Sequence, residues 1–159
     1  MVLLGLATTG TGKGLNNVIT GNGLNNVLSC SAGNDHLLGL GGNDTLTGGT
    51  GNDQFVFSTT PVSGNVDRVT DFIAGQDQIV LDALVFNGLN LHNQVLDAAM
   101  FRSGAGITTA ADANDHLIFN TTNGALYYDN DGAGGATAVQ IATLSGNTSL
   151  DAGSIWIVG

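Results

Sequence analysis

Across residues 12–56 one apolar position recurs every nine residues, always behind the same polar stretch. The lines read GKGLNNVIT, GNGLNNVLS, CSAGNDHLL, GLGGNDTLT and GGTGNDQFV. The eighth place holds Ile19, Leu28, Leu37, Leu46 and Phe55, and the sixth holds Asn17, Asn26, Asp35, Asp44 and Asp53. So short a period excludes a helical-hairpin repeat and fits a coil built from one short strand and one turn. In such a strand the eighth-place side chain points inward. Its neighbours on either side, among them Val18, Val27, His36, Thr45 and Gln54, then point outward.

Ahead of the array, residues 1–11 echo the repeat imperfectly in LLGLATTGT and predict an entry strand or cap. From Ser58 onward the period gives way to ordinary strand-and-turn texture, with Pro61 in the loop that ends the array. Strands are expected over 66–72 and 78–81, flanking a turn at 74–77. Others are expected over 116–121 and 125–129, bracketing Asn123-Gly124, a strong hairpin signal between apolar runs. A turn at 130–135 and strands over 137–144 and 155–158 complete the pattern, and one short helix is expected around 94–100, in the stretch 91–101. The fold class is all-β.

Composition sharpens the reading of the polar places. The net charge is -10, all 13 acidic residues are Asp, and the only strong bases are Lys13, Arg68 and Arg102. Asp suits tight turns, whereas Glu favours helix, so its absence agrees with a strand-and-turn chain. Scarcity of Lys and Arg excludes a nucleic-acid partner and disfavours an anionic membrane surface. Carboxylates held in phase on successive turns call for a cation, and Asp, Asn and turn-carbonyl oxygens select a hard one, calcium above magnesium. Gly33, Gly42 and Gly51 allow the turn backbone the left-handed conformation that aims carbonyls at an ion. The plain alternative, a solvated turn residue, does not account for the fixed phase of Asp35, Asp44 and Asp53. Asn17 and Asn26 read equally as weaker ligands or as amides that close their turns without metal.

A single cysteine, Cys30, forms no internal disulfide, and bound metal can staple an extracellular chain instead. The opening MVLLGLATTG lacks a basic residue ahead of its apolar run and reads poorly as a cleaved secretory signal. No apolar stretch approaches the roughly 20 residues that span a bilayer, so no membrane insertion is expected.

These lines resemble the RTX, or hemolysin-type, calcium-binding nonapeptide, and residues 48–56 fit its pattern GGxGxDxUx at every defined place. The resemblance implies that two repeats make one full turn of a parallel β-roll, with Ca2+ between a repeat and the next but one. It thereby pairs Asp35 with Asp53, Asn26 with Asp44 and Asn17 with Asp35, the first being the tightest because it has two carboxylates. Metal ligation is expected of Asp35, Asp44 and Asp53, of Gly33, Gly42 and Gly51, and of Asn34, Asn43 and Asn52, with Asn17, Asn26 and Asp71 as further ligands. The chain departs from the pattern at Leu15 and Leu24, which replace the fourth-place glycine, and at Cys30-Ser31, which replace the opening glycines.

After the array, VDRVTDF and GQDQIVL resemble the stretch that follows RTX arrays in type I-secreted proteins. There Asp67, Asp71 and Asp77 either close the last metal site or cap strands. NGALYYDNDG and AVQIATL resemble the end region of such proteins, which carries an uncleaved C-terminal export signal. The tail departs in having Ser154 before Ile155-Trp156-Ile157-Val158 and a closing Gly159. The implied architecture is a cap and parallel β-roll over 1–57, then a C-terminal antiparallel, sandwich-like cap over 58–159 that carries the export signal.

No catalytic constellation assembles. His36, His92 and His116 are scattered, Cys30 has no partner histidine nearby in sequence, and no nucleophile elbow or phosphate loop occurs. Asp129 and Asp131 before Gly132 resemble the start of a calcium loop, but Gln140 stands where the closing Glu belongs. The expected function is therefore non-enzymatic: a secreted, bacterial calcium-binding module that folds outside the cell and serves a type I exporter as C-terminal folding and export segment. The alternative is a calcium-stabilised module for extracellular polysaccharide, like the repeat modules of alginate epimerases. Against it, the roll offers only Lys13 as a base before Arg68.

Overall fold

The structure, a computed structural model, describes residues 1–90, 92–146 and 149–159. The array forms β1 (Thr9–Thr11), β2 (Val18–Asn22), β3 (Val27–Ser29), β4 (His36–Leu40), β5 (Thr45–Thr47) and β6 (Gln54–Phe57). Each nonapeptide turn carries the chain from one sheet to the other, so every second strand returns to the same sheet. β1, β3 and β5 line one wall and β2, β4 and β6 the other, all pairing in parallel. Val18 lies beside His36, Val27 beside Thr45 and His36 beside Gln54, a register of two repeats per coil. The eighth-place residues Ile19, Leu28, Leu37, Leu46 and Phe55 are at most 1% exposed, whereas outward Val18 and Val27 are 59% and 51% exposed.

The ladders run on beyond the nonapeptides. β7 (Asp67–Val69) pairs with β5 and β8 (Gln78–Asp82) pairs with β6, both in parallel. Chain after 82 adds β9 (Gln94–Val95), β10 (Phe101–Gly104), β11 (Leu117–Asn120), β12 (Ala125–Tyr128), β13 (Val139–Leu144) and β14 (Ile155–Val158). β13 seats on β7 and β14 on β8, again in parallel. The cap then turns antiparallel: β11 to β12 to β13 on one sheet, β14 to β9 on the other, with β10 parallel to β11 at the edge. The expected hairpin is present, with Asn120 opposite Ala125 and Gly124 at φ 73 in the turn between them.

One apolar cluster runs from Leu3 through the coils to Ile157, so the roll and the cap share a core. Phe55 and Phe72 pack with ring centroids 6.2 Å apart where the array ends. Phe86 meets Tyr128 edge-on at 5.0 Å, and the Tyr128 hydroxyl accepts from the Gly88 N–H at 2.8 Å and donates to Asn130 Oδ1 at 2.9 Å.

The helix expected around 94–100 is not formed. Gln94 and Val95 pair with β14, and only a single 3₁₀ turn follows, Ala98–Met100, capped by Asp97, which accepts from the Ala99 N–H at 2.9 Å. So short a stretch does not repay helix nucleation, and the free edge of β14 competes for it. Leu91, at the start of that stretch, lies outside the described residues. No helix among the described residues is long and apolar enough to cross a membrane.

Replacing Leu46, which is fully buried between the two sheets, with Ala is expected to cost about 2–5 kcal/mol in denaturant unfolding. Val18→Ala, on the outer face, should stay within about 0.5 kcal/mol.

Candidate metal centre

The strand's period of two reaches back into the turn. Burial falls on the sixth, eighth and next first places, as in Asp35-Leu37-Gly39 and Asp44-Leu46-Gly48. Asn26, Asp35, Asp44 and Asp53 are accordingly no more than 2% exposed. These side chains sit on the inner side of the junction between turn and strand, not in solvent at the turn tip.

Their first oxygen caps the backbone of the coil before. Asn17 N–H donates to Asp35 Oδ1 at 2.7 Å, Asn26 N–H to Asp44 Oδ1 at 2.7 Å and Asp35 N–H to Asp53 Oδ1 at 2.8 Å. The same bond continues where the nonapeptides stop, from Asp44 N–H to Asp67 Oδ1 and from Asp53 N–H to Asp77 Oδ1, both at 3.0 Å. Two rows result, Asn17–Asp35–Asp53–Asp77 along one edge of the roll and Asn26–Asp44–Asp67 along the other. Asp71 caps the turn between them, accepting from Gly48 N–H at 3.0 Å and Gly49 N–H at 2.7 Å.

The second oxygen is left over. Asp35 Oδ2 and Asp44 Oδ2 are buried with no hydrogen-bond partner among the described residues. First-place glycine keeps the carboxylate's place open: a Cβ on Gly39 would lie 2.1 Å from Asp44 Oδ2, and one on Gly48 would lie 2.3 Å from Asp53 Oδ2. The fourth-place Gly33, Gly42 and Gly51 take φ of 130, 103 and 132, which brings each turn's backbone down on the turn beneath. Asn34, Asn43 and Asn52 are exposed and staple turns together. Asn34 N–H donates to Asn16 Oδ1 at 2.8 Å and Asn52 N–H to Asn34 Oδ1 at 3.0 Å. Asn43 N–H donates to Asn25 Oδ1, and Val66 N–H to Asn43 Oδ1, each at 2.9 Å.

Burial sets the electrostatics. It raises the Asp44 carboxyl to about 6 and Asp67 to about 7, against the opposing pull of backbone N–H bonds. Asp53 and Asp77 are also raised, first by burial and then by like charges nearby, Asp71 among them. Cys30 stands in the first-place glycine position of its repeat. Burial, followed by the charges of Asp35, Asp53 and Asp71, pushes its thiol to about 12, so it is neither a nucleophile nor a thiolate ligand at neutral pH. Bases do not compensate the rows: Arg68 Nε donates to Ser145 Oγ at 2.6 Å, and Arg102 lies 4.0 Å from Asp115.

Among the described residues no three His, Cys, Asp or Glu side chains converge as a cage. Each position instead offers one or two carboxylates beside turn carbonyls, a hard, all-oxygen set with unused buried lone pairs, which fits calcium. Asp67 and Asp77 were open in the sequence between strand caps and a closing site; the structure makes each the next rung of a row. Cys30 is a neighbour of Asp35, and the one sequence signal for it is its place in the glycine column.

A parallel roll whose turns stack inward carboxylates over left-handed glycines defines a metal-binding repeat module. Residues 20–55 match the RTX calcium-binding nonapeptide repeat (4 copies), a repeat whose ligand is calcium. Among solved structures, the chain is similar to the AlgE6R3 subunit from the Azotobacter vinelandii mannuronan C5-epimerase, at 22% identity over 89% of this chain and 77% of that one, with a TM-score of 0.40. No curated protein matches the chain significantly.

Two outcomes follow from the buried rows. Because the folded values of Asp44 and Asp67 lie above the unfolded ones, the metal-free roll binds more protons than the unfolded chain. Its stability is greatest below the unfolded carboxylate range and is lost as pH rises through about 7. Melting in excess chelator is expected at higher temperature at about pH 5 than at about pH 7.5. With calcium present the slope should reverse, since bound carboxylates are ionised. Separately, Gly48→Ala should weaken calcium binding at least about tenfold, about 1.4 kcal/mol. Gly23→Ala, where a Cβ meets nothing within 4 Å, should leave binding unchanged in calorimetry.

Proposed function

We propose that this chain is a non-enzymatic module whose folding is driven by calcium outside the cell, and that it serves as the folding and export segment of a type I-secreted bacterial protein. The observation that carries the reading is the pair of orphaned, buried oxygens on Asp35 and Asp44, set in two rows that no base among the described residues neutralises. Burying ionised carboxylates without a partner is costly, and a dication held between coils removes that cost. Asp35 with Asp53, Asp53 with Asp77 and Asp44 with Asp67 are the two-carboxylate positions that would hold it, with Asn26 and Asp71 as accessory ligands.

Calcium that binds only the folded chain stabilises it by about 2.7 kcal/mol per site at a hundredfold excess over Kd. Extracellular modules commonly have Kd of ~10⁻⁴–10⁻³ M, so such sites fill outside and stay empty in the cytosol. An unfilled roll burdened with buried charge is only marginally stable, which eases its passage through an exporter. The end region around 123–144, with its resemblance to type I export segments, supports that route.

A second reading, binding of a neutral polysaccharide, is favoured by one observation. On the outer face of the even-numbered wall, His36 Nδ1 lies 3.1 Å from Gln54 Oε1, and Gln54 Nε2 donates to Gln78 Oε1 at 2.9 Å. Together with Asn34, Asn52 and Gln76, and with the Asp35 and Asp53 carboxylates that a calcium ion would neutralise, they line a polar groove. Absence of any heat on calorimetric titration with neutral glycans would discard it.

For the main reading, circular dichroism and Cys30 reactivity are followed together during calcium titration. Strand signal should grow with calcium while the thiol, 5% exposed in the fold, becomes protected from an aromatic disulfide reagent. Full strand content and full protection in excess chelator would refute it. Asp53→Ala should shift the midpoint to higher calcium by about tenfold or more, about 1.4 kcal/mol.

A further inference from the structure

At the N-terminal end of the first row, the Asn17 side chain is tied into its own turn. Its two Nδ2 hydrogens are shared among the carbonyl of Lys13 at 2.8 Å, the carbonyl of Leu15, and Asp35 Oδ1 at 3.0 Å. Its Oδ1 accepts from the Lys13 N–H at 3.2 Å. The orientation of the amide is forced by its neighbours: turned over, its oxygen would face three acceptors. Gly12 leaves the space, since a Cβ there would lie 3.0 Å from Asn17 Cγ and 3.1 Å from its Oδ1. Two turn carbonyls and a carboxylate oxygen from the next coil are the kind of oxygen set a hard cation gathers, and here one amide nitrogen gathers them.

The second row ends in the same way by a longer route. Asn26 Oδ1 accepts from the Asn22 N–H at 2.8 Å and its Nδ2 donates to Asn22 Oδ1 at 3.1 Å. Asn22 Nδ2 in turn donates to the carbonyl of Ala7 at 2.7 Å. Both rows therefore begin in amides and become carboxylates only from the third repeat onward.

We infer that the Asn17 amide is a built-in substitute for calcium, bridging the first coil to the second through Lys13, Leu15 and Asp35, and that Asn17 marks a latent calcium site which one substitution opens. The inference rests on the calcium reading of the later rungs. With Asp at 17 the donor is lost, and its carboxylate joins three oxygens that repel one another unless a dication enters. The first coil of the wild-type chain accordingly holds without the ion, and calcium dependence starts at the Asp35–Asp53 and Asp44–Asp67 rungs.

The test measures calcium stoichiometry by calorimetry, with melting temperature in calcium and in chelator, for wild type, Asn17→Ala and Asn17→Asp. Asn17→Ala should bind as many calcium ions as wild type but melt lower in chelator. Asn17→Asp should bind one ion more and lose more stability in chelator than Asn17→Ala; folding only with calcium present is the same result in stronger form. Loss of an ion in Asn17→Ala would overturn the inference, as would no added ion in Asn17→Asp or its failure to fold in either condition. A wild-type chain that binds no calcium at all would instead remove the underlying reading. That outcome is separable, because the effect of Asn17→Ala in chelator does not involve the ion.

Discussion

Everything in the array depends on carboxylates being placed inside. A parallel coil ends each rung with a backbone N–H that the next rung cannot reach, and a short acidic side chain from one coil further on supplies the acceptor. This satisfies the backbone at each of these junctions, but it buries charge in a column, and among the described residues no Arg or Lys pairs with that column. A scaffold this narrow cannot dilute that charge in a large core. The backbone is satisfied at the expense of the electrostatics, and an external dication is the simplest agent that relieves both carboxylates of a rung at once.

The same constraint explains the distribution of glycine. In the first place it leaves room for the carboxylate of its own repeat, and in the fourth it lets one turn settle on the next. Where the chain departs from that distribution, the chemistry of the rung departs as well. Leu15 and Leu24 coincide with the asparagine rungs, and Cys30 occupies a glycine place beside Asp35. The departures are coherent: the early coils use neutral amides, which need no left-handed turn to collect carbonyls around an ion.

Much of this was legible in the residues. The nine-residue period specified the coil, its apolar place the core and its sixth place the rows, because each is a local rule of alternation. The hairpin at Asn123-Gly124 was legible for the same reason. What lay hidden was long-range. Nothing in 94–100 reveals that the edge of β14 is available to Gln94 and Val95, so a helix was the natural expectation. Asp67 and Asp77 lie 23 and 24 residues from their partners, against 18 within the array. The inserted loops break the phase that made the other rungs visible. The inward aim of the sixth place is implicit in the same alternation, carried back from the strand into the turn.

The seating of β13 on β7 and β14 on β8 has a bearing on the order of events in folding. Ala142 lies beside Asp67 and Ile155 beside Ile79, so the foundation of the roll is laid by strands far along the chain. Non-local parallel pairings close slowly, since the intervening segment must be constrained before any contact repays it. Coils near the amino end therefore lack their terminal support until the last strands are available. A polypeptide arranged in this way postpones its own compaction until its last strands are free to pair.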